Sequence, residues 1–309
     1  MDTNFGFIPD KELRSVDIPV SPKIKIGNYI LKLLDEKIDE PDSHIQLVYG
    51  PKIINLKQGL NCIKWPYYFR AKRSMHKVSL PKFLCPKLAY FMGYFYADGS
   101  LKDVYKSKLK TGKFEHKIKV GDEFLIQVEL LKRLFKSLFD LDVKIRTERI
   151  EKGEHYYYIE ITDKVIYRFI TKIFDLPYGP KTGKLKMPEI ILNASPEIKK
   201  WFTRGVFDAD GETRAFEYYK NKSLIKPRIR LHMKDYLFVK QIKELMFQSF
   251  GLNFNGPYID KNNKATCIEI TKINEIQRAY QQNIFLHPVK NWRLRKYIGT
   301  VAQKAVEKT

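Results

Sequence analysis

Acidic residues are scarce for a chain of this size: 35 Asp and Glu stand against 57 Lys and Arg, a formal charge of +22 over 309 residues. Solubility does not need that much charge of one sign, and a surface this positive attracts polyanions at long range. Nucleic acid leads, because phosphate neutralisation and counterion release supply most non-specific binding. Thermal adaptation would raise Glu along with Lys, and here the acids lag. Cysteine is scarce too. The three cysteines, Cys62, Cys85 and Cys267, lie far apart with no Cys-x-x-Cys, and their odd number argues against a disulfide framework. A reducing interior is the compartment that fits. The six histidines show no zinc-ligand spacing. No apolar run is long enough to span a bilayer. The first twenty residues carry neither a signal-peptide apolar stretch nor an Arg-rich amphipathic pattern. The expectation is a soluble cytoplasmic protein without a membrane partner.

Apolar material is plentiful. Hydrophobic residues reach 44%, with 20 Phe and 19 Tyr, enough for two or three cored domains. Their arrangement repeats. GYFYADG (93–99) resembles GVFDADG (205–211), an offset of 112; KVGDEFLIQVELLKRLF (119–135) resembles HMKDYLFVKQIKELMF (232–247), with Asp122 aligned to Asp235 at 113. Ile159-Glu160-Ile161-Thr162 returns as Ile268-Glu269-Ile270-Thr271 at 109, and 177–181 matches 288–290 weakly. Four pairs in one order, at nearly one offset, indicate two copies of a module. A period so long, present twice, favours a pseudo-twofold pair over a solenoid.

Each copy reads α-β-β-α-β-β-α: an apolar helix (86–97; 196–209), alternating strands, an amphipathic helix (about 122–139; 235–250), two more strands and a last helix (163–174; 272–284). The fold class is therefore α+β, two related αββαββα domains with antiparallel sheets, at 81–190 and 191–309. Residues 1–80 form an extension of unassigned role. Within it Ile26, Ile30, Leu33, Leu34 and Ile38 have helical spacing, 44–56 reads as strand, and 67–73 mixes aromatic and basic residues as either a linker or a nucleic-acid contact.

Small residues recur every four positions in the first helix of each copy: Ala89, Gly93, Ala97 and Gly205, Ala209. That spacing puts them on one face, and a face without bulk lets two backbones come close. Asp98 and Asp210 end those helices, each followed by Gly, an ordinary helix stop. A carboxylate at the negative end of a helix dipole costs a few tenths of a kcal/mol or more. If two such ends converge, the carboxylates repel as well. A divalent cation between them is the natural remedy, since hard cations take carboxylate, carbonyl and water oxygens.

GYFYADG and GVFDADG resemble the two signature helices of the LAGLIDADG homing endonuclease family, in its single-chain, two-repeat form. The resemblance covers about residues 80–300. The second copy (201–211) is the closer match; the first departs at Tyr96, where the family often has Asp. The resemblance implies a monomer acting as a pseudo-dimer, a site-specific endonuclease that hydrolyses both DNA strands with Mg²⁺, Mn²⁺ substituting. It assigns metal binding to Asp98 and Asp210 with the Ala97 and Ala209 carbonyls. It assigns catalytic lysines to Lys181, with Lys184 as rival, and to Lys290. Asp122 and Asp235 stand where the family positions solvent; plain N-capping is their other reading.

Alternation puts Lys117 and Lys119, and Arg228, Arg230 and His232, on one face of a sheet, and Lys144 and Arg146 repeat the pattern. By resemblance the two sheets form a saddle whose ribbons enter the major groove of a long, roughly palindromic DNA site, where Arg can pair with guanine. The basic loop 102–113 adds phosphate contacts. Two rivals stay open: a DNA-binding regulator that has lost cleavage, and an RNA maturase, for which RNA is the partner. The chain begins at Met1 and ends VEKT, without the terminal nucleophile and His-Asn ending of self-splicing, which argues against an intein.

Overall fold

The computed structural model describes residues 18, 24–25, 45–49, 64–71, 78–81, 83–105, 114–150, 154–177, 179–218, 221–260 and 264–306. Before the repeat come β1 (Ile24–Lys25), β2 (Ile45–Tyr49), β3 (Lys64–Ala71), β4 (Val78–Pro81) and β5 (Phe83–Leu84). Strands β2, β3 and β4 make a three-stranded antiparallel sheet with β3 central, so 67–71 is sheet rather than linker. Of the basic loop expected at 102–113, residues 102–105 are strand and 106–113 lie outside the described residues, as do the helix expected around 26–38 and Cys62. Cys85 and Cys267 are buried. Among the described residues no helix is long and apolar enough to cross a membrane.

The first copy runs α1 (Pro86–Asp98), β6 (Ser100–Tyr105), β7 (Phe114–Asp122), α2 (Leu125–Phe139), β8 (Ile145–Arg149), β9 (His155–Thr162) and α3 (Lys164–Ile173). A short α4 (Glu189–Leu192) leads to the second: α5 (Pro196–Asp210), β10 (Gly211–Tyr218), β11 (Asn221–Met233), α6 (Tyr236–Phe250), β12 (Asn255–Ile259), β13 (Thr266–Ile270) and α7 (Ile273–Gln281). A terminal helix α8 (Pro288–Val306), which the repeat did not announce, carries Lys290. The strand orders are equivalent, β6-β7-β9-β8 and β10-β11-β13-β12, antiparallel throughout. The fold is α+β, as the periodicities required.

The patterning explains each layer. In β7, Ile118 and Val120 are buried while Lys117 and Lys119 face outward; in β11, Ile229, Leu231 and Met233 alternate with Arg228, Arg230 and His232 in the same way. Helices α2 and α6 bury one stripe each, Val128, Leu131, Leu134, Phe135 and Leu138 in one, Phe238, Val239, Ile242, Leu245 and Met246 in the other. The middle helix of the first copy starts later than its pattern indicated, because Asp122 still pairs with Tyr157 at the end of β7. Helix α1 differs from both: Leu88 through Ala97 are all buried. A helix buried all round has protein on every side, and its principal neighbour is α5.

Glycine makes that contact. A Cβ at Gly93 would run into the Phe202 carbonyl, and one at Gly205 into the Tyr90 carbonyl, with Tyr94 N 2.7 Å away. The contacts 93 to 202 and 90 to 205 depart from the 112-residue offset by three positions in opposite senses, the mark of a pseudo-twofold. The helix stops work differently from expectation. Gly99 and Gly211 cap at φ −70° and −71°, in extended and not left-handed backbone. Space demands them: a Cβ at Gly99 would fall 2.5 Å from the Phe95 carbonyl, and at Gly211 it would collide with the Phe207 carbonyl.

Gly93→Ala and Gly205→Ala should each destabilise the protein by about 1–3 kcal/mol or more, because the opposing group is backbone and cannot rotate away. Gly299, in α8, faces open space; Gly299→Ala should be neutral or stabilising by up to about 1 kcal/mol. Urea unfolding of the three variants checks the contrast.

Candidate active site

Helices α1 and α5 touch at their glycines, and the charges at their C-terminal ends share the same two lysine neighbours. Asp98 and Asp210 are the last residues of the two helices. Asp98 keeps access to solvent and Asp210 is half-buried. Loss of hydration among crowded protein groups, then repulsion from Asp210, push Asp98 up to about 7, against the pull of Lys181 and Lys290. Burial likewise raises Asp210, with Lys181, Lys290 and His232 opposing. Two carboxylates that hinder each other's ionisation at a shared site form a locus of negative charge needing a cation.

The chain supplies two cations itself. Lys181 Nζ donates to the carbonyls of Tyr96 at 2.8 Å and Gly99 at 2.7 Å, and also to Ala97. Lys290 Nζ donates to Asp208 O at 2.6 Å and Ala209 O at 2.7 Å. Each ammonium closes the last turn of its own copy's signature helix, where unpaired carbonyls and the dipole favour positive charge. Burial lowers Lys181 to about 8, with Asp210 and Asp98 countering; burial lowers Lys290 too. Lys184 is exposed, its backbone N–H bonded to Lys181 O, and its side chain does not reach the helix ends.

Asp122 and Asp235 are held by the fold rather than turned to solvent, and neither side chain caps its helix. Asp122 is buried. It accepts from Phe124 N at 2.8 Å and from Tyr94 OH, and lies 3.4 Å from His287 Nε2. Burial alone would raise it; the bonds from His287 and Tyr94 hold it below the usual carboxylate range. Asp235 accepts from Leu185 N at 3.0 Å.

Position 96, where the first copy departs from the second, has a structural account. Its counterpart Asp208 accepts Tyr90 OH at 2.6 Å across the helix interface and Leu286 N at 3.0 Å within its own copy. Tyr96 packs edge-on against Phe202 across the same interface, centroids 5.5 Å apart, and donates to Phe174 O. Residues 90 and 202, like 96 and 208, are 112 apart. One half of the pseudo-twofold contact is polar and the other aromatic.

The outward sheet faces carry the expected bases, but almost every one has an acid partner. Lys117 and Arg146 flank Glu160 at 3.8 and 3.4 Å, and Lys119 meets Glu148 at 3.0 Å. Arg228 meets Glu269 at 3.0 Å; Arg230 and His232 share Asp260 at 3.2 and 3.7 Å. Lys144 is exposed immediately before β8. The pairs on the first face are the more open, and exposed pairs are worth about 0–1 kcal/mol each; those on the second face are half-buried. The basic spacing missed two neighbours on the first face, Tyr156 and Tyr158, whose rings stack near Lys119 Nζ, 3.8 Å over Tyr158. Their i, i+2 spacing in a strand was the available signal. It also missed His287, Tyr94 and Tyr90, which no motif joins.

Among the described residues no three His, Cys, Asp or Glu side chains gather as a metal cage. The available donors are two carboxylates and helix-end carbonyls, all hard oxygens. That set fits Mg²⁺, which binds through one or two carboxylates and completes its shell with water and substrate phosphate.

No protein-family model matches the chain. It is 25% identical over 272 residues to a probable translation initiation factor IF-2 of Methanocaldococcus jannaschii, covering 83% of this chain and 20% of that protein. It is 26% identical over 235 residues to the glutamine–fructose-6-phosphate aminotransferase of the same organism, covering 75% and 18%. The chain thus spans about a fifth of the length of these curated relatives. Among solved structures it is similar to the LAGLIDADG homing endonuclease I-GzeII in complex with its DNA target, at TM-score 0.46 and 16% identity, covering 71% and 91%. It is also similar to full-length DUF199/WhiA from Thermatoga maritima, at TM-score 0.44 and 16% identity, covering 71% and 60%.

Asp98 binds its proton more tightly in the folded chain, at about 7 against an ordinary 3.8. Folded protein therefore holds the extra proton between those values, and this group's contribution to stability falls as pH rises through that window. Asp98→Asn should raise the melting temperature of metal-free protein at about pH 8 and leave it little changed at about pH 4. Calorimetry at both pH values, wild type beside variant, checks the sign.

Proposed function

We propose that the chain is a site-specific DNA endonuclease that hydrolyses both strands with Mg²⁺ or Mn²⁺ held at Asp98 and Asp210. The observation that carries this reading is the convergence of two acidic helix tips, each flanked by a half-buried lysine, between two equivalent sheets in a chain of charge +22. A structural scaffold has no need of two carboxylates that raise each other's affinity for protons at one point. A phosphodiesterase does.

Divalent ions at such a site neutralise the scissile phosphate, activate water and stabilise the leaving oxygen. The chain's own part is to place them. Asp98 and Asp210 present one carboxylate from each copy, so two equivalent centres serve two antiparallel strands. Lys181 and Lys290 hold the helix-end carbonyls and stand ready to offset charge on a bound phosphate. Lys117, Lys119, Arg146, Arg228, Arg230 and His232, with Lys144 beside them, exchange acid partners for DNA phosphates and base edges. Because the copies differ in these residues, the two half-sites differ and the target is only roughly palindromic.

The relatives add a separate line of support. A translation factor and an aminotransferase share no activity, yet each matches this chain over about a fifth of its length. A stretch common to such proteins belongs to neither activity and behaves as an inserted module, which suits an enzyme that cuts DNA to spread its own gene. One observation favours a second reading, a DNA-binding regulator: Lys181 and Lys290 donate to the Ala97 and Ala209 carbonyls, the oxygens the metal reading calls on.

Incubation with a randomised duplex library in Mg²⁺, then Mn²⁺, separates the two. Double-strand scission at a recurrent sequence supports the nuclease; salt-sensitive binding without scission supports the regulator. Asp98→Asn and Asp210→Asn should each abolish double-strand cleavage and spare binding. Normal cutting by either variant removes the metal assignment.

A further inference from the structure

Lys181 and Lys290 reach the helix ends from the segments that follow the last repeated helix of each copy, and those segments are held from the opposite copy. His287 is buried and precedes α8. Its Nδ1 accepts from Val289 N at 3.2 Å and from Lys290 N at 3.5 Å, capping the helix that carries Lys290. With Nδ1 an acceptor, the neutral ring carries its proton on Nε2, which faces Asp122 Oδ1 at 3.4 Å. Phe124 adds an edge-on ring contact to His287, centroids 5.4 Å apart. Asp122 and Phe124 belong to the first copy, Lys290 to the second.

The other half repeats the logic with different atoms. Lys181 begins a turn closed by Lys184 N donating to its carbonyl at 3.0 Å. The chain beyond is pinned twice from the second copy: Leu185 N donates to Asp235 Oδ1 and Met187 N to Gln241 Oε1, both at 3.0 Å. Asp122 and Asp235 are repeat equivalents, and each has a carboxylate oxygen engaged on the segment bearing the other copy's lysine.

We propose that Asp122 and Asp235 are positioning residues that act reciprocally: Asp122, through His287, fixes the Lys290 ammonium, and Asp235, through Leu185, fixes the Lys181 ammonium. The consequence is coordination. Neither lysine is set on its helix end unless the two copies are docked, so a half-assembled chain has no complete centre with which to nick one strand. The importance of this for cleavage rests on the nuclease reading; the brace itself does not.

Competitive acetylation of the full chain with acetic anhydride, read lysine by lysine by mass spectrometry, tests the brace without DNA or metal. In wild type Lys181 and Lys290 should label slowly beside the exposed Lys184. Asp122→Ala should raise labelling of Lys290 about fivefold or more, the scale of one lost hydrogen bond, and leave Lys181 unchanged. Asp235→Ala should do the reverse, and Asp235→Asn, which keeps an acceptor for Leu185 N, should restore the wild-type rate. His287→Asn guards against misfolding, since Asn retains a helix cap but is too short to span to Asp122; it should expose Lys290 alone. The proposal is overturned if each aspartate affects the lysine of its own copy, if both lysines rise together, or if His287→Asn labels as wild type. Should wild type fail to cut DNA while the crossed pattern holds, the nuclease reading fails and the brace stands.

Discussion

Backbone touches backbone where α1 crosses α5, and most of what is distinctive in this molecule follows from the absence of a side chain at Gly93 and Gly205. Two helices ordinarily pack 8–10 Å apart, at a separation set by their side chains. Removing the side chain at the crossing brings the axes closer, which brings the helix ends closer, which confronts Asp98 with Asp210. The electrostatic strain at that point is therefore a product of steric design several residues away. The same closeness leaves room at the interface only for contacts that fit tightly. Tyr90 with Asp208 and Tyr96 with Phe202 are two chemically unlike solutions to one symmetric position.

Placing negative groups at the negative ends of two helices would be costly if nothing answered it. Lys181 and Lys290 answer it, at the expense of their own hydration, which is why burial lowers both ammoniums while the carboxylates rise. Four groups of opposite sign thus sit with softened charges in a small volume. Such a cluster responds readily to an incoming cation or phosphate, since either one changes the balance for all four.

The outward sheet faces obey a gentler version of this rule. Their bases are paired with acids; the pairs of the first sheet are partly exposed and open at little cost, while those of the second are half-buried. Neutralised pairs also reduce the long-range field that these faces project.

Much of this was legible in one dimension. The two copies follow from segments that recur at nearly one offset, and the αββαββα order, the inward and outward residues of β7 and β11, and the pairing of small-residue helices follow from short-range periodicity, because burial imposes period 2 on strands and 3.6 on helices wherever they lie. Chain position could not reveal what joins residues 165 apart, as with Asp122 and His287, nor why Gly99 and Gly211 are glycines, since a helix stop and a close approach look alike in sequence. It took Asp122 for a solvent-positioning residue or a helix cap, and showed bases on the sheet without their acids. Those matters depend on which segments the fold brings together, and hydrogen bonds and ion pairs form by distance in space, to which spacing along the chain sets only an upper limit.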